Sequence, residues 1–451
     1  MNAVLLGLAS NPALPGRLLD RLVVFPELGF ELASRADLST GHVHALLSHG
    51  DPSVVHQLLS THRVRPADVP LTTEPVALAL TGHPGADPAV ARVLAFHPDP
   101  AIRRQLPERA HHLPADVIER LAGDDDPEVV AELVTFHALP PALALAVSRH
   151  PAAGVRHAVA ASPHTPAPVL VALSADDSLA RELASNPATP PLVAADLLRH
   201  HASRYFLASR TDLPVEVYER LASEIEPGIL SELAANPAVP AAVLRHLTGT
   251  RALLRNPAIP LDLLVELAPA ARIGTEVVPR VAAASAAELR TLAGSPVTQV
   301  RMMVAARADL PLDLVQSLVL DDDPGVAAAV VTNPLVSVTQ LWELVSRHGA
   351  RLYPRVARNP SCPPELLHHM ALAVSSAEQT YRAIARHPAA RGETLSLCLE
   401  DAQARHLAAA HPHLPVETIV EFLGSEFTAG PAAANPSLPV AVMEDLLNST
   451  T

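Results

Sequence analysis

The 451-residue chain contains no lysine, so all 33 of its Lys-plus-Arg residues are arginines. A phosphate-loop lysine, a Schiff-base lysine and a lysine general base are therefore excluded. Only two cysteines occur, Cys362 and Cys398, too few for a disulfide framework in so long a chain. Cys362 lies inside a repeat phrase and Cys398 in an apolar segment, positions that fit buried free thiols in a reducing cytoplasm. Aromatic residues make up 3%, including one Trp and four Tyr, which leaves few anchors for a partner. Long apolar runs are missing as well. The uncharged, apolar stretch 133–148 is broken by Pro140 and Pro141 and falls short of the roughly 20 residues of a membrane span. Val4 to Ala9 follows no charged segment and reads as half a structural unit, not as a signal sequence. A soluble, cytoplasmic protein is expected, with no role at a membrane.

Positive charge is scarce too. Net charge is −14, and the arginines are scattered, as at Arg103-Arg104, without forming a stripe. That argues against nucleic acid as a partner and for a basic or neutral protein surface. The runs Asp124 to Asp126 and Asp321 to Asp323 read as helix caps beside a solvated turn.

What the chain does have is a recurring phrase, Asn-Pro-x-x-Pro followed by an apolar helix. It begins at Asn11, Asn186, Asn236, Asn256, Asn359 and Asn435, with Asn333-Pro334 as a variant that ends in Ser337. Worn copies put Ser162, His387 or His411 in the Asn position, here termed the anchor. A second dialect reads Arg-x-Asp-Leu, at Arg35, Arg210 and Arg307. Most anchors are 24 to 28 residues apart; one step of 51, from 256 to 307, hides a degenerate unit near Ala282. About eighteen units result, and self-similarity at this period marks a solenoid.

After the closing Pro, apolar residues recur with helical spacing, as in Leu18, Leu19 and Leu22 or Leu366, Leu367 and Met370. The Pro is read as a first-turn residue whose missing N–H costs nothing. Acids such as Asp116, Glu216, Asp313 and Glu417 follow it, where they complement the helix dipole. A second break, often Asp-Pro as at 51, 99, 126 and 323, opens a short Ala/Val-rich second helix. One such helix pair cannot bury its own apolar face, so the units must stack. The expected fold is all-α: an α-solenoid of about eighteen units, each a helix plus a short 3₁₀-like or α second helix. The whole of 1–451 reads as one solenoid with irregular repeats near 62–92 and 269–296, the latter a candidate hinge. Stacked layers about 8–10 Å apart would form a long body with an extended face.

The Asn-Pro-x-x-Pro-x-x-Leu-Leu phrase resembles the leucine-rich repeat variant family over nearly the whole chain. HEAT and armadillo solenoids are a weaker likeness, because their units are longer and lack the phrase. The resemblance implies a right-handed superhelix in which a helix alternates with a 3₁₀-like helix. The family's founding type carries an iron–sulfur cluster on a Cys-rich N-terminal segment. Residues 1–60 here contain no Cys, so that cluster is not implied.

No nucleophile elbow, phosphate loop, His-Glu-x-x-His or Cys-x-x-Cys motif occurs, and no catalytic, cofactor-binding or metal-ligating residue is assigned. Histidine is abundant, at 23, with a group at His42, His44, His49, His56 and His62. Most His stand at helix ends or replace the anchor Asn, which is a structural use. The Asn row is read the same way, as closing turns and bonding to the backbone of the neighbouring unit. The expected function is a non-enzymatic scaffold that binds another protein along an extended solenoid face. Tyr205, Phe206, Trp342, Tyr353 and Tyr381 are the candidate partner-binding residues, and no cofactor is expected. Two alternatives remain open: an enzyme or metal-binding protein with residues scattered on the concave face, and a nucleic-acid-binding solenoid.

Overall fold

The computed structural model describes residues 3–247, 249–271, 277–373 and 378–450, and these are all-helical, with no strand among them. They form two compact units, one of Leu47–Leu263 and one of Met1–Leu46 together with Leu264–Thr451. Each unit is a stack of helix pairs, an α-solenoid architecture. Residues 272–276, inside the irregular stretch 269–296, lie outside the described residues.

The first helix of each pair is set by its Pro, though not as first-turn residue. Pro15, Pro114, Pro166, Pro214, Pro311 and Pro415 are N-caps with extended backbone, and the helix begins one residue later. The physical reason is that an N-cap needs an extended ψ and a free carbonyl, and both suit Pro. Thus Pro15 O accepts from the N–H groups of Leu18 and Leu19. The Asp-Pro breaks do follow the first-turn rule. Asp51, Asp99, Asp126 and Asp323 cap through their side chains, with Pro at the first helical position.

The apolar offsets face inward. Leu18, Leu19, Leu22, Leu366, Leu367 and Met370 are all buried. Neighbouring units touch most closely through their second helices, as in the series Pro100–Arg109, Pro127–Phe136 and Ala153–Ala161. A buried Leu-Ala pair just before the anchor recurs there: Leu8-Ala9, Leu32-Ala33, Leu183-Ala184, Leu207-Ala208 and Leu233-Ala234. Alanine on that face lets helix axes approach. Several second helices are entered through a 3₁₀ turn, as Pro26–Leu28 leads into Gly29–Ala33 and Asp177–Leu179 into Ala180–Ser185. Irregularity at 62–92 has a local sign: His62 is the single non-Gly residue with positive φ (56°) among those described.

Cys362 and Cys398 are both buried, and burial pushes each thiol up to about 12. Neither should react with Ellman's reagent in the folded protein near neutral pH, and both should react after denaturation.

Candidate protein interface

The anchor residues form a ladder of side-chain hydrogen bonds. Asn359 Nδ2 donates to the carbonyls of Val331 (2.6 Å) and Asn333 (2.9 Å), one unit back, while its Oδ1 accepts from Ser361 N–H at 2.7 Å. Asn186, Asn236, Asn256 and Asn435 repeat that geometry. All five side chains are buried, so each amide satisfies backbone groups that water cannot reach. The worn anchors use other chemistry for the same bonds. His387 Nε2 meets Asn359 O at 2.9 Å while its Nδ1 accepts from Ala389 N–H, and His411 does likewise with His387 O and His413 N–H. Only the neutral ring protonated at Nε2 fits this pattern. Arg210 donates to Asn186 O and Thr189 O, each at 2.7 Å, and Asp212 holds its guanidinium through two further bonds. Arg307 donates to Val281 O and Ala282 O, so the degenerate unit near Ala282 still provides a rung of the ladder.

In the unit that contains both chain ends, the ladder runs 307, 333, 359, 387, 411, 435 and continues to 11 and 35. Asn11 Nδ2 donates to Ala433 O (2.8 Å) and Asn435 O (2.7 Å), and Arg35 Nη1 donates to Ala9 O and Asn11 O. The Ala3–Ser10 helix therefore packs on Ala429–Ala433 as a following unit would.

Burial disfavours the charged ring of His411, and the neighbouring His413 and His387 add to this; together they outweigh the bond to His387 O and lower its pKa from 6.5. The folded protein then binds this proton less tightly than the unfolded chain does. Stability from the site is complete above the ordinary 6.5 and is lost as pH falls from there through the lower folded value. His411→Asn is expected to flatten the loss of stability between about pH 7 and pH 5, as followed by thermal unfolding at each pH.

A second ladder of Arg–acid pairs escaped the sequence reading. Arg103 pairs with Asp124 (2.8 Å), Arg204 with Glu224 (3.0 Å), Arg301 with Asp321 (2.7 Å) and Arg382 with Asp401 (3.0 Å). The first acid of each Asp run is thus an ion-pair partner, buried at Asp124 and half-buried at Asp321, not a solvated cap. Burial works against the charge of Asp124, yet bonds from Arg103 and Asp126 N–H prevail and hold it below the usual carboxylate range. The legible signal was an arginine about 20 residues before an acid, repeated four times.

With the anchors committed to structure, what remains variable is the exposed side of the second helices. Five residues before the anchor stand Phe30, Arg181, Tyr205 and Ser231. Tyr205 is 46% exposed and meets Phe206 edge-on at 5.5 Å between ring centres, and the Arg181 guanidinium lies 5.3 Å over the Phe206 ring. Arg181, Tyr205 and Phe206 thus form one surface cluster across adjacent second helices. Trp342 is separate, 36% exposed on a first helix and 5.3 Å from the His369 ring. Tyr353 and Tyr381 are both 7% exposed and sit in the core, so they present no ring to a partner. Among the described residues no three metal-ligating side chains converge; His42 instead bonds Asp20 at 2.7 Å and accepts from Ser39 N–H.

Residues 325–386, which include the Asn333, Asn359 and His387 rungs, match the model of the Leucine Rich Repeat Variant domain. Over that segment the chain is built of helical repeats of leucine-rich repeat variant (LRV) type. A solved structure described as a leucine-rich repeat variant with a novel repetitive protein structural motif is similar, at 16% identity and a TM-score of 0.30, over 48% of this chain and 84% of that one. Comparison with the curated proteins gives no match. No helix of the chain is long and apolar enough to cross a membrane, among the described residues.

Proposed function

We propose that this LRV-type solenoid is a non-enzymatic scaffold in the cytoplasm that binds another protein through the exposed side of its second helices. The observation that carries this reading is the Arg181–Tyr205–Phe206 cluster. Arg and Tyr are the residue types that dominate interface hot spots, and here they stand exposed on a rigid helical row. The anchor residues support it from the other side: their polar atoms are consumed by the ladder, leaving recognition to positions where the units differ. Affinity purification of the tagged chain from its native host should recover a stoichiometric protein partner, and Tyr205→Ala with Arg181→Ala should lose it. Equal recovery by that double variant, or turnover of a small molecule by the purified chain, would sink the proposal.

A further inference from the structure

A groove of about 480 Å³ opens over Phe30, bordered by Pro12, Ala36, Glu31 and Asp37. Its apolar floor is the Phe30 ring, 51% exposed at the tip of the Gly29–Ala33 helix. The groove's only arginine is already committed. Arg35 has 7% of its side chain exposed, holds Asp37 through two bonds and donates through Nη1 to Ala9 O and Asn11 O. Two acids face the opening without being neutralised to the same degree. The Asp37 side chain is 50% exposed, and Glu31 has no ion-pair partner among the described residues.

An exposed ring beside unsatisfied carboxylate is the environment that attracts a cation with an aliphatic stem. The cation gains from the negative ring face and from the acids, while the stem covers apolar floor. The net charge of −14 favours the approach of such a group from solution. We propose that this groove takes an arginine or lysine side chain of a partner polypeptide, which names the chemistry of one contact in the scaffold reading and rests on it.

The ring and the Arg-x-Asp turn recur in the other unit, where Phe206 takes the place of Glu31. Tyr205 stands five residues before Arg210, and Asp212 keeps 41% of its side chain exposed. In the third Arg-x-Asp repeat the ring is replaced by Met302, whose Sδ would lie 3.0 Å from a Cβ at Gly325. That copy has no ring face to offer. Aromatic residues in a chain with so few of them therefore coincide with two of the three Arg-x-Asp turns.

The test is calorimetric titration of the full-length protein with a short Arg-rich peptide and with a Glu-rich peptide of equal length, at low salt. The wild type should bind the first and not the second, and added salt should weaken it. Phe30→Ala and Glu31→Gln should each weaken binding about five-fold, as loss of a cation–π contact or a facing carboxylate implies. Thermal unfolding checks both variants; should Phe30→Ala unfold early, Glu31→Gln decides alone. Equal affinity for the acidic peptide, or unchanged affinity in Glu31→Gln, overturns the assignment. A host partner captured equally by the wild type and by both variants overturns the groove and leaves the scaffold standing. Absence of any captured partner overturns the scaffold instead.

Discussion

Replacing Asn359 by alanine is expected to lower the stability of its unit by about 3–4 kcal/mol, among the largest effects of any single polar substitution in the chain. The side chain is fully buried, and its Nδ2 serves the carbonyls of Val331 and Asn333 while its Oδ1 serves Ser361 N–H. Alanine leaves all three backbone groups unpaired where water does not reach, at about 1–3 kcal/mol each before relaxation. The conservative partner is histidine, not aspartate. His387 and His411 already do the same work at the next two anchors, so Asn359→His should cost only about 1 kcal/mol. Asn359→Asp would aim a buried carboxylate at two carbonyls and should cost more than alanine. Hydrogen exchange of the amides in 338–370 measures the effect without assuming a two-state transition, which a repeat array need not obey. Equal protection in the alanine and histidine variants would mean that the ladder bonds contribute little.

How legible this arrangement was in the sequence depends on whether the information is local. The Asn-Pro-x-x-Pro phrase announces a helix stop, a turn and a helix start because each step is satisfied within a few residues. The bond of Asn186 to the unit behind it could be expected as well, since stacked units must pair their buried turns. The equivalence of Asn, His and Arg at the anchor was visible as a substitution pattern. Its chemistry became clear only from geometry: Nδ1 stands in for Oδ1, Nε2–H for the amide, and Asp212 steadies a guanidinium that reaches two carbonyls. Closing prolines were placed one position too far into the helix, because sequence does not separate an N-cap from a first-turn residue. The Arg103–Asp124 pair was missed because its partners belong to different units, and the run of three aspartates looked like one feature instead of two. Of the candidate site, composition singled out the aromatic positions but could not give their burial. Tyr205 and Tyr353 are indistinguishable until the packing of the next unit is known.

Nothing local could have shown that Asn11 serves Ala433 and Asn435, and a second large effect is expected at that contact. Gly7 lies against the Ala429–Ala433 helix so closely that a Cβ there would stand 2.2 Å from Gly430 O and 2.8 Å from Ala433 Cβ. A backbone oxygen cannot turn aside as a side chain can, so Gly7→Ala should destabilise this seam by about 3 kcal/mol, at the upper end for overpacking. Gly16→Ala is the control. It sits in the first turn of the next helix with nothing within 4 Å of its Cβ, and should be neutral or stabilising by about 0.5 kcal/mol. The outer face of the seam carries the Arg17–Glu444 ion pair and a 3.0 Å bond from Arg21 to Asn448. Both are in contact with solvent on at least one side and add little. In Gly7→Ala, hydrogen exchange should quicken together in 3–10 and 429–447, segments more than 400 residues apart, while Leu47–Leu263 is unchanged. A disulfide offers the opposite perturbation. Ala3 Cβ lies 3.6 Å from the Cβ position of Gly430, within the span of a disulfide, and Cys362 and Cys398 are buried too deeply to compete. Ala3→Cys combined with Gly430→Cys should oxidise within one chain to a monomer that regains the lost protection. Disulfide-linked dimers, or no oxidation at all, would show that the Ala3–Ser10 and Ala429–Ala433 helices are not neighbours in solution.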